Sequence, residues 1–239
     1  MNAALFVLLM PLTLLEPRWQ FSAAFSQARL DTDLRVDGAV RGTETNAEKD
    51  LGLSKSRIEP RFTLRHRPSR RHELEAGYQV VRRSASHTLA GAMTFADETF
   101  APGEVVDTHL KTDRGFVTYR YAWLASPTWQ AGPSGGAGAL FVDATVEGAS
   151  KTATEAVGAL GAYGRHQAGA RWTFEADARY GRSTRSGSIW DAAGAARWHA
   201  SEKLALELGY GASVADLDID GGAVRYSVQN LRIGMVLSR

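Results

Sequence analysis

The sequence predicts an all-β protein: a closed antiparallel up-and-down barrel of about ten strands, with eight and twelve as the neighbouring counts. Three observations carry that expectation. Downstream of Pro17 the hydrophobic pattern has a period of two, as in a strand, and helical periodicity is absent. The breaks between the alternating segments alternate in kind, long and polar, then short. The length of 239 residues, 44% hydrophobic and 9% aromatic, is enough for one large domain with a sizeable interior and is too apolar for a disordered chain. The formal charge is +2, so the pI near 9.0 reflects scattered arginines and no nucleic-acid-binding face. With no cysteine, disulfides, thiolate metal sites and cysteine nucleophiles are excluded.

The first element is a signal-peptide-like leader over residues 1–16. Its apolar run, Ala3 to Leu15, is too short for a transmembrane helix of about 20 residues, contains Pro11, and has the length of a leader's hydrophobic region. No Lys or Arg precedes it, and Ser22-Ala23-Ala24 is the best small-residue cleavage candidate; the competing reading is a buried N-terminal helix or strand. The barrel domain follows over 17–239, with strands expected at 18–30, 55–66, 72–84, 110–124, 129–146, 153–165, 171–182, 188–198, 203–215 and 223–238. In the second, Arg57, Glu59, Arg61, Thr63 and Arg65 form one set and Ile58, Pro60, Phe62 and Leu64 the other. Leu74, Ala76, Tyr78 and Val80 oppose Glu73, Glu75, Gly77 and Gln79 in the third. Trp172, Phe174, Ala176, Ala178 and Tyr180 oppose Thr173, Glu175, Asp177 and Arg179 in the seventh; Leu204, Leu206 and Leu208 oppose Ala205, Glu207 and Gly209 in the ninth. Leu231, Ile233, Met235 and Leu237 close the chain. Gly-Pro-Ser-Gly-Gly at 132–136 blurs the faces and is a place for a bulge.

The short breaks are expected at 67–71, 125–128, 166–169 and 199–202, and the long ones at 31–54, 85–109, 147–152, 183–187 and 216–222. Short turns at one rim and long loops at the other match membrane barrels. No other segment could cross a bilayer as a helix, and in lipid only helices and closed barrels satisfy their backbone.

Alternation does not say which face is wet: a soluble lipid-binding barrel keeps apolar side chains inside, a membrane barrel outside. The tryptophans favour the membrane. Trp19, Trp123, Trp129, Trp172 and Trp198 all fall at the short-turn rim, where an amphipathic indole suits the headgroup level. Trp190 lies eight residues before Trp198 on the same face. At a tilt of about 45° that is about 19 Å along the membrane normal, inside an apolar band about 25 Å tall. Aromatics packed in a sandwich core would not concentrate at one rim. The opposite face then sends Arg57, Glu59, Arg61, Arg65, Glu73, Glu75, Arg83, Arg120, Glu175, Asp177, Arg179 and Glu207 into the lumen, where opposite charges on neighbouring strands pair and plug it. Arg82 and Arg197 are expected on the apolar face, snorkelling near strand ends. The orientation predicts Phe62, Leu74, Phe174 and Leu206 outside, with Arg61, Glu75 and Glu175 within.

Chemical motifs are sparse. The six histidines, His66, His72, His87, His109, His166 and His199, sit at or beside turns and loops and show no metal-ligand spacing. No GxSxG, P-loop or dinucleotide fingerprint occurs in the required context, and the Asp/His arrangement of ten-stranded outer-membrane proteases is not recognisable. Ser84 with His87 is the sole local nucleophile–base pair. Asp31, Asp33 and Asp37, with Asp216, Asp218 and Asp220, form acidic clusters at the outer ends of the first and penultimate strands, either a cation site or solvated loops.

Several short segments resemble a known family. Trp19-Gln20-Phe21-Ser22 running into Asp31-Thr32-Asp33-Leu34-Arg35-Val36-Asp37-Gly38 is similar to the first strand and loop of Gram-negative outer-membrane β-barrel proteins of the small OmpA/OmpW-like group. Asp50-Leu51-Gly52-Leu53, Pro60-Arg61-Phe62, His72 to Tyr78, and Tyr119-Arg120-Tyr121 look similar to segments of the same group. Such barrels usually finish on an aromatic residue, whereas this chain finishes Met235-Val236-Leu237-Ser238-Arg239. The resemblance implies a fold and a location and carries no activity. The resulting expectation is a monomeric barrel in the outer membrane, both termini periplasmic, with a structural or surface-interaction role and no cofactor. Its partners would be outer-membrane lipids and the barrel-assembly machinery, not nucleic acid. A lipid hydrolase or acyltransferase, a narrow channel, and a soluble lipid-binding barrel are the alternatives.

Overall fold

A computed structural model describes residues 19–239; the expected leader and its apolar run lie outside the described residues. The strands are β1 (Trp19–Val36), β2 (Thr45–Asn46), β3 (Ser56–His66), β4 (His72–Gln79), β5 (Arg82–Thr88), β6 (Met93–Phe95), β7 (Glu98–Phe100), β8 (Val105–Tyr121), β9 (Leu124–Ala125), β10 (Trp129–Val146), β11 (Ala149–Ala168), β12 (Trp172–Ser183), β13 (Ser186–His199), β14 (Leu204–Ile219) and β15 (Gly222–Ser238). β1 pairs with β3 on one side and with β15 on the other, and β8 pairs with β10, so the antiparallel sheet closes on itself. β4 and β5 lie along one stave: both pair with β8 in a single register, Gln79↔Arg114 and Arg82↔Lys111. The barrel therefore has ten staves, each overlying one expected segment. Ser22-Ala23-Ala24 is interior to β1. The β10–β11 register runs unbroken from Trp129↔His166 to Val146↔Ala149, but on the other side of β10 the expected irregularity is present: Ser134 faces Arg120 and Ala131 faces Leu124, so three residues, 121–123, bulge opposite Gly132 and Pro133.

The orientation is the one the alternation and tryptophans predict. Phe62, Leu74, Phe174 and Leu206 are exposed on the outer surface, whereas Glu75 is buried and Arg61 and Glu175 are half-buried on the inner one. Apolar exteriors are extreme in places, 67% exposure for Phe25 and 75% for Leu160. On β14 the outward positions Leu204, Leu206, Leu208, Tyr210, Ala212 and Val214 are all apolar. Those ten residue steps rise about 24 Å at a tilt of about 45°, the height of a bilayer's hydrocarbon layer.

Beyond that height the polarity of both faces reverses while the parity is kept. Outward residues of β1 change from Trp19, Phe21 and Phe25 to Gln27, Arg29, Asp31 and Asp33; inward ones change from Gln20, Ser22 and Ser26 to Leu30, Leu34 and Val36. Likewise β14 turns Asp216 and Asp218 outward over inward Leu217 and Ile219. The short-turn half is thus a membrane-type barrel with a polar inside, and the long-loop half is built like a soluble protein, with an apolar inside.

This reversal explains where the expected loops differ from the structure. Segments 147–152, 183–187 and 216–222 lose the apolar-outside pattern yet remain strands, leaving tight turns at Glu147-Gly148, Thr184-Arg185 and Asp220-Gly221. Glu147 (φ 45°) and Gly148 (φ 90°) both occupy the left-handed region, as a hairpin turn matched to sheet twist requires. Only the β1–β3 and β5–β8 connections are long. They fold over the barrel mouth, placing Ala47, Leu51, Leu53, Leu89, Met93, Phe95 and Phe100 in one cluster with Val36, Val106, Val142, Leu217 and Val224. Charged side chains were expected to plug the whole lumen; apolar packing plugs this end, because side chains lifted out of the bilayer regain water on the outside.

Candidate functional site

The short-turn half of the lumen holds a continuous network of guanidinium and carboxylate groups. Glu73, Glu75, Arg65 and Arg120 come from adjacent staves: β3–β4 registry sets Arg65 opposite Glu75, and β4–β8 registry sets Glu73 opposite Arg120. Arg65 donates to Glu75 (Nη2–Oε2 2.6 Å) and crosses the barrel to Glu175 (Nη1–Oε1 2.9 Å). Arg120 donates to Glu73 (2.6 Å) and Glu75 (2.9 Å), and reaches Asp177 at 3.6 Å. Asp177 also lies 3.2 Å from Arg179, whose Nη1 donates to Thr118 Oγ1 at 2.8 Å. Glu207 on β14 completes the ring through Arg197 (2.7 Å) and Arg232 (2.8 Å). Inward parity alone places all these groups; pairing keeps each buried charge compensated.

Not every residue expected here joins. Glu59 is fully buried but lies above the network and accepts from Gln79 Nε2 at 2.7 Å. Arg83, also fully buried, belongs to the other half: with Thr32 it grips Glu48, which descends from the β1–β3 connection; Glu48 accepts from the Arg83 guanidinium and from Thr32 N (2.8 Å). Arg57 shares the inward parity yet is exposed, since it lies at the end of β3 where that stave stops short of its neighbour β1. Arg61 is in the lumen over Phe116, 5.1 Å from the ring centroid, and has no carboxylate within ion-pair distance among the described residues.

Sequence reasoning missed Arg67, Arg114, Arg165, Asp191 and Arg232 as members. Arg67 donates to Glu73 (2.5 Å); Arg165 donates to Glu73 (2.7 Å), Gln130 (2.8 Å) and Glu175; Arg114 and Asp191 pair across the lumen at 2.5 and 2.8 Å. Their parity was readable for all but Arg67, which lies in a turn. Arg197 corrects the expectation of a snorkelling, lipid-side arginine: it is buried, it alternates with outward Trp198, and it bonds Glu207 and Glu175. Arg82 does lie on the outer face, exposed, opposite Lys111.

Around the outside, Trp19, Trp123, Trp129 and Trp172 are exposed and Trp198 half-buried at the short-turn rim, with Trp190 exposed eight residues away along β13 on the same face. Histidines at the rim complete this girdle. His66 stacks on Trp19 and His166 on Trp129, each at 4.1 Å, and His72 is hydrogen-bonded to Tyr119 Oη (2.6 Å); His199 instead shares the inward parity of Arg197 and is hydrogen-bonded to Thr173 Oγ1 (2.8 Å) on the lumen side. Ser84 and His87 do not converge: three residues apart on β5, they project from opposite faces, Ser84 outward and His87 inward. The two acidic clusters do not meet either. β15 lies between β1 and β14, and its Arg225 stands opposite both Asp33 and Asp216, 3.1 Å from the latter. Asn46 donates to Asp31 and Asp33 at 3.1 and 2.9 Å, and no metal-binding group of acids or histidines occurs among the described residues.

No family model matches the chain, and no curated protein matches its sequence. Solved structures do match its fold. The outer membrane protease OmpT from Escherichia coli is similar over 92% of this chain and 96% of its own, with a TM-score of 0.57 at 8% identity. The translocator domain of the autotransporter NalP from Neisseria meningitidis is similar over 92% of this chain and 88% of its own, with a TM-score of 0.53 at 14% identity. At such identities the likeness is one of architecture, and the chain has the architecture of a Gram-negative outer-membrane β-barrel.

Proposed function

We propose that the chain is an integral outer-membrane protein of a Gram-negative bacterium, with short turns and both termini periplasmic and the apolar-cored half standing outside the cell. Its role is structural or one of surface interaction, without catalysis, and it acts as a monomer among outer-membrane lipids after insertion by the barrel-assembly machinery. The observation that carries this reading is the reversal of polarity with height: apolar outside and ionic inside over one hydrocarbon thickness, then polar outside and apolar inside. β1, with 18 residues, rises about 42 Å at a tilt of about 45°, so about 17 Å stands clear of an apolar band about 25 Å tall. The plugged mouth argues against a wide diffusion pore, and the opposed faces of Ser84 and His87 give a lipid hydrolase no support.

Cell fractionation combined with gel migration with and without heating tests the location. The protein should partition with outer membranes, resist high salt without detergent, and migrate faster unheated than boiled. Release by salt alone would favour a soluble periplasmic barrel and sink the proposal. A steady single-channel conductance in planar bilayers would replace the structural role with a channel.

A further inference from the structure

The lumen cavity, of about 110 Å³, runs through the ion network and is bordered by eight arginines and five carboxylates, with Glu73 pairing behind three of the arginines. Most of those arginines are taken up by the pairs described above. Arg61 is not. It is half-buried, and its guanidinium stacks on Phe116, which also carries Arg179 at 5.6 Å from the ring centroid. Phe116 itself occupies the space above Gly77, where a Cβ would come within 2.3 Å of the ring, so the stack is built into the sheet. Arg120 Nε, buried, has no hydrogen-bond acceptor among the described residues, and Arg179 Nε lies 3.2 Å from Asp177 without hydrogen-bond geometry. Across the cavity the inward positions are small (Ala193, Ala195, Gly211 and Ser213), which leaves the arginine side facing open space.

A guanidinium never gives up its charge, and a surplus of fixed cations in a confined, poorly hydrated space is costly unless an anion enters. Its planar fork of donors matches the oxygens of a tetrahedral oxyanion better than a spherical ion. We infer that the lumen cavity is a binding site for a small phosphate-type oxyanion, held by Arg61 with Arg179 beside it. The inference depends on the closed lumen and not on where in the cell the barrel resides.

Equilibrium dialysis of radiolabelled inorganic phosphate against the folded, lipid-stripped full chain in a zwitterionic detergent tests it. Saturable binding of one phosphate per chain is expected. Arg61→Gln should weaken it about tenfold to a hundredfold, the range for losing charge-assisted hydrogen bonds, while Arg57→Gln, on the same strand but exposed, should leave it unchanged. Ala193→Leu fills the opposite wall with every arginine intact and should abolish binding, which keeps the test open should Arg61→Gln not fold. No saturable binding by the unaltered chain, or binding by Arg61→Gln or Ala193→Leu as tight as the unaltered chain's, would overturn the inference. A phosphate monoester fixed on a lipid, supplied in vesicles, should not compete; if it does, the phosphate lies on the outer surface and the lumen site is refuted.

Discussion

Two substitutions on one face of one strand separate a membrane barrel from a soluble one. Leu208 and Asp218 both point outward from β14, ten residues apart. Leu208 is 54% exposed and lies four residue steps above the start of the apolar run at Leu204, about 10 Å into a band about 25 Å tall. Asp218 stands about 24 Å higher, among polar neighbours. An arginine near the bilayer midplane of a barrel's lipid face costs about 2–4 kcal/mol, falling to about 0–1 kcal/mol at the interface. On a soluble exterior, either substitution would stay within about 0.5 kcal/mol. Leu208→Arg should therefore lower the folding constant about 30- to 700-fold, and Asp218→Arg by no more than about fivefold. Reversible guanidinium titration of folding into phosphatidylcholine vesicles measures both. Equal effects within about 0.5 kcal/mol would show that the outer face of β14 does not meet acyl chains, and the orientation argument would fail with it.

Three further outcomes follow from the packing. Glu48 and Arg83 bond within the core, so Glu48→Leu or Arg83→Met alone should each destabilise by about 3–5 kcal/mol. The double variant Glu48→Leu/Arg83→Met should recover much of that in a thermal-unfolding cycle, and simple additivity would contradict a coupled pair. Glu175→Gln removes the carboxylate shared by Arg65, Arg165 and Arg197; a loss of about 3–5 kcal/mol is expected, whereas unchanged unfolding in detergent would mean the ring does not hold the lumen together. Gly148→Ala forces a side chain into a left-handed turn position and should cost about 1 kcal/mol, read as a lower melting temperature; a neutral result would contradict the hairpin geometry at the tip of β10–β11.

The alternation of residues such as Arg61/Phe62 and Glu75/Ala76 determined by itself that the chain is a sheet, and the clustered tryptophans determined which face is outside. Both are local: a strand sends successive side chains to opposite faces, and indoles prefer one depth. Charged lumen residues were legible for the same reason, and where the reading failed it was at positions the alternation could not weigh. Arg197 alternates with Trp198 yet was expected outside because it lay near a strand end, and Arg83 carries the right parity but sits at the wrong height. Height along the barrel depends on stagger between strands far apart in sequence, such as β1 against β15, so only the closed structure could decide where polarity reverses. It alone brings Glu48 down to Arg83, sets Glu175 among arginines from three other strands and the turn at Arg67, folds Met93 and Phe95 into the mouth, and leaves Arg61 without an acid. A strand's own sequence fixes which way each side chain points; closure fixes what it meets there.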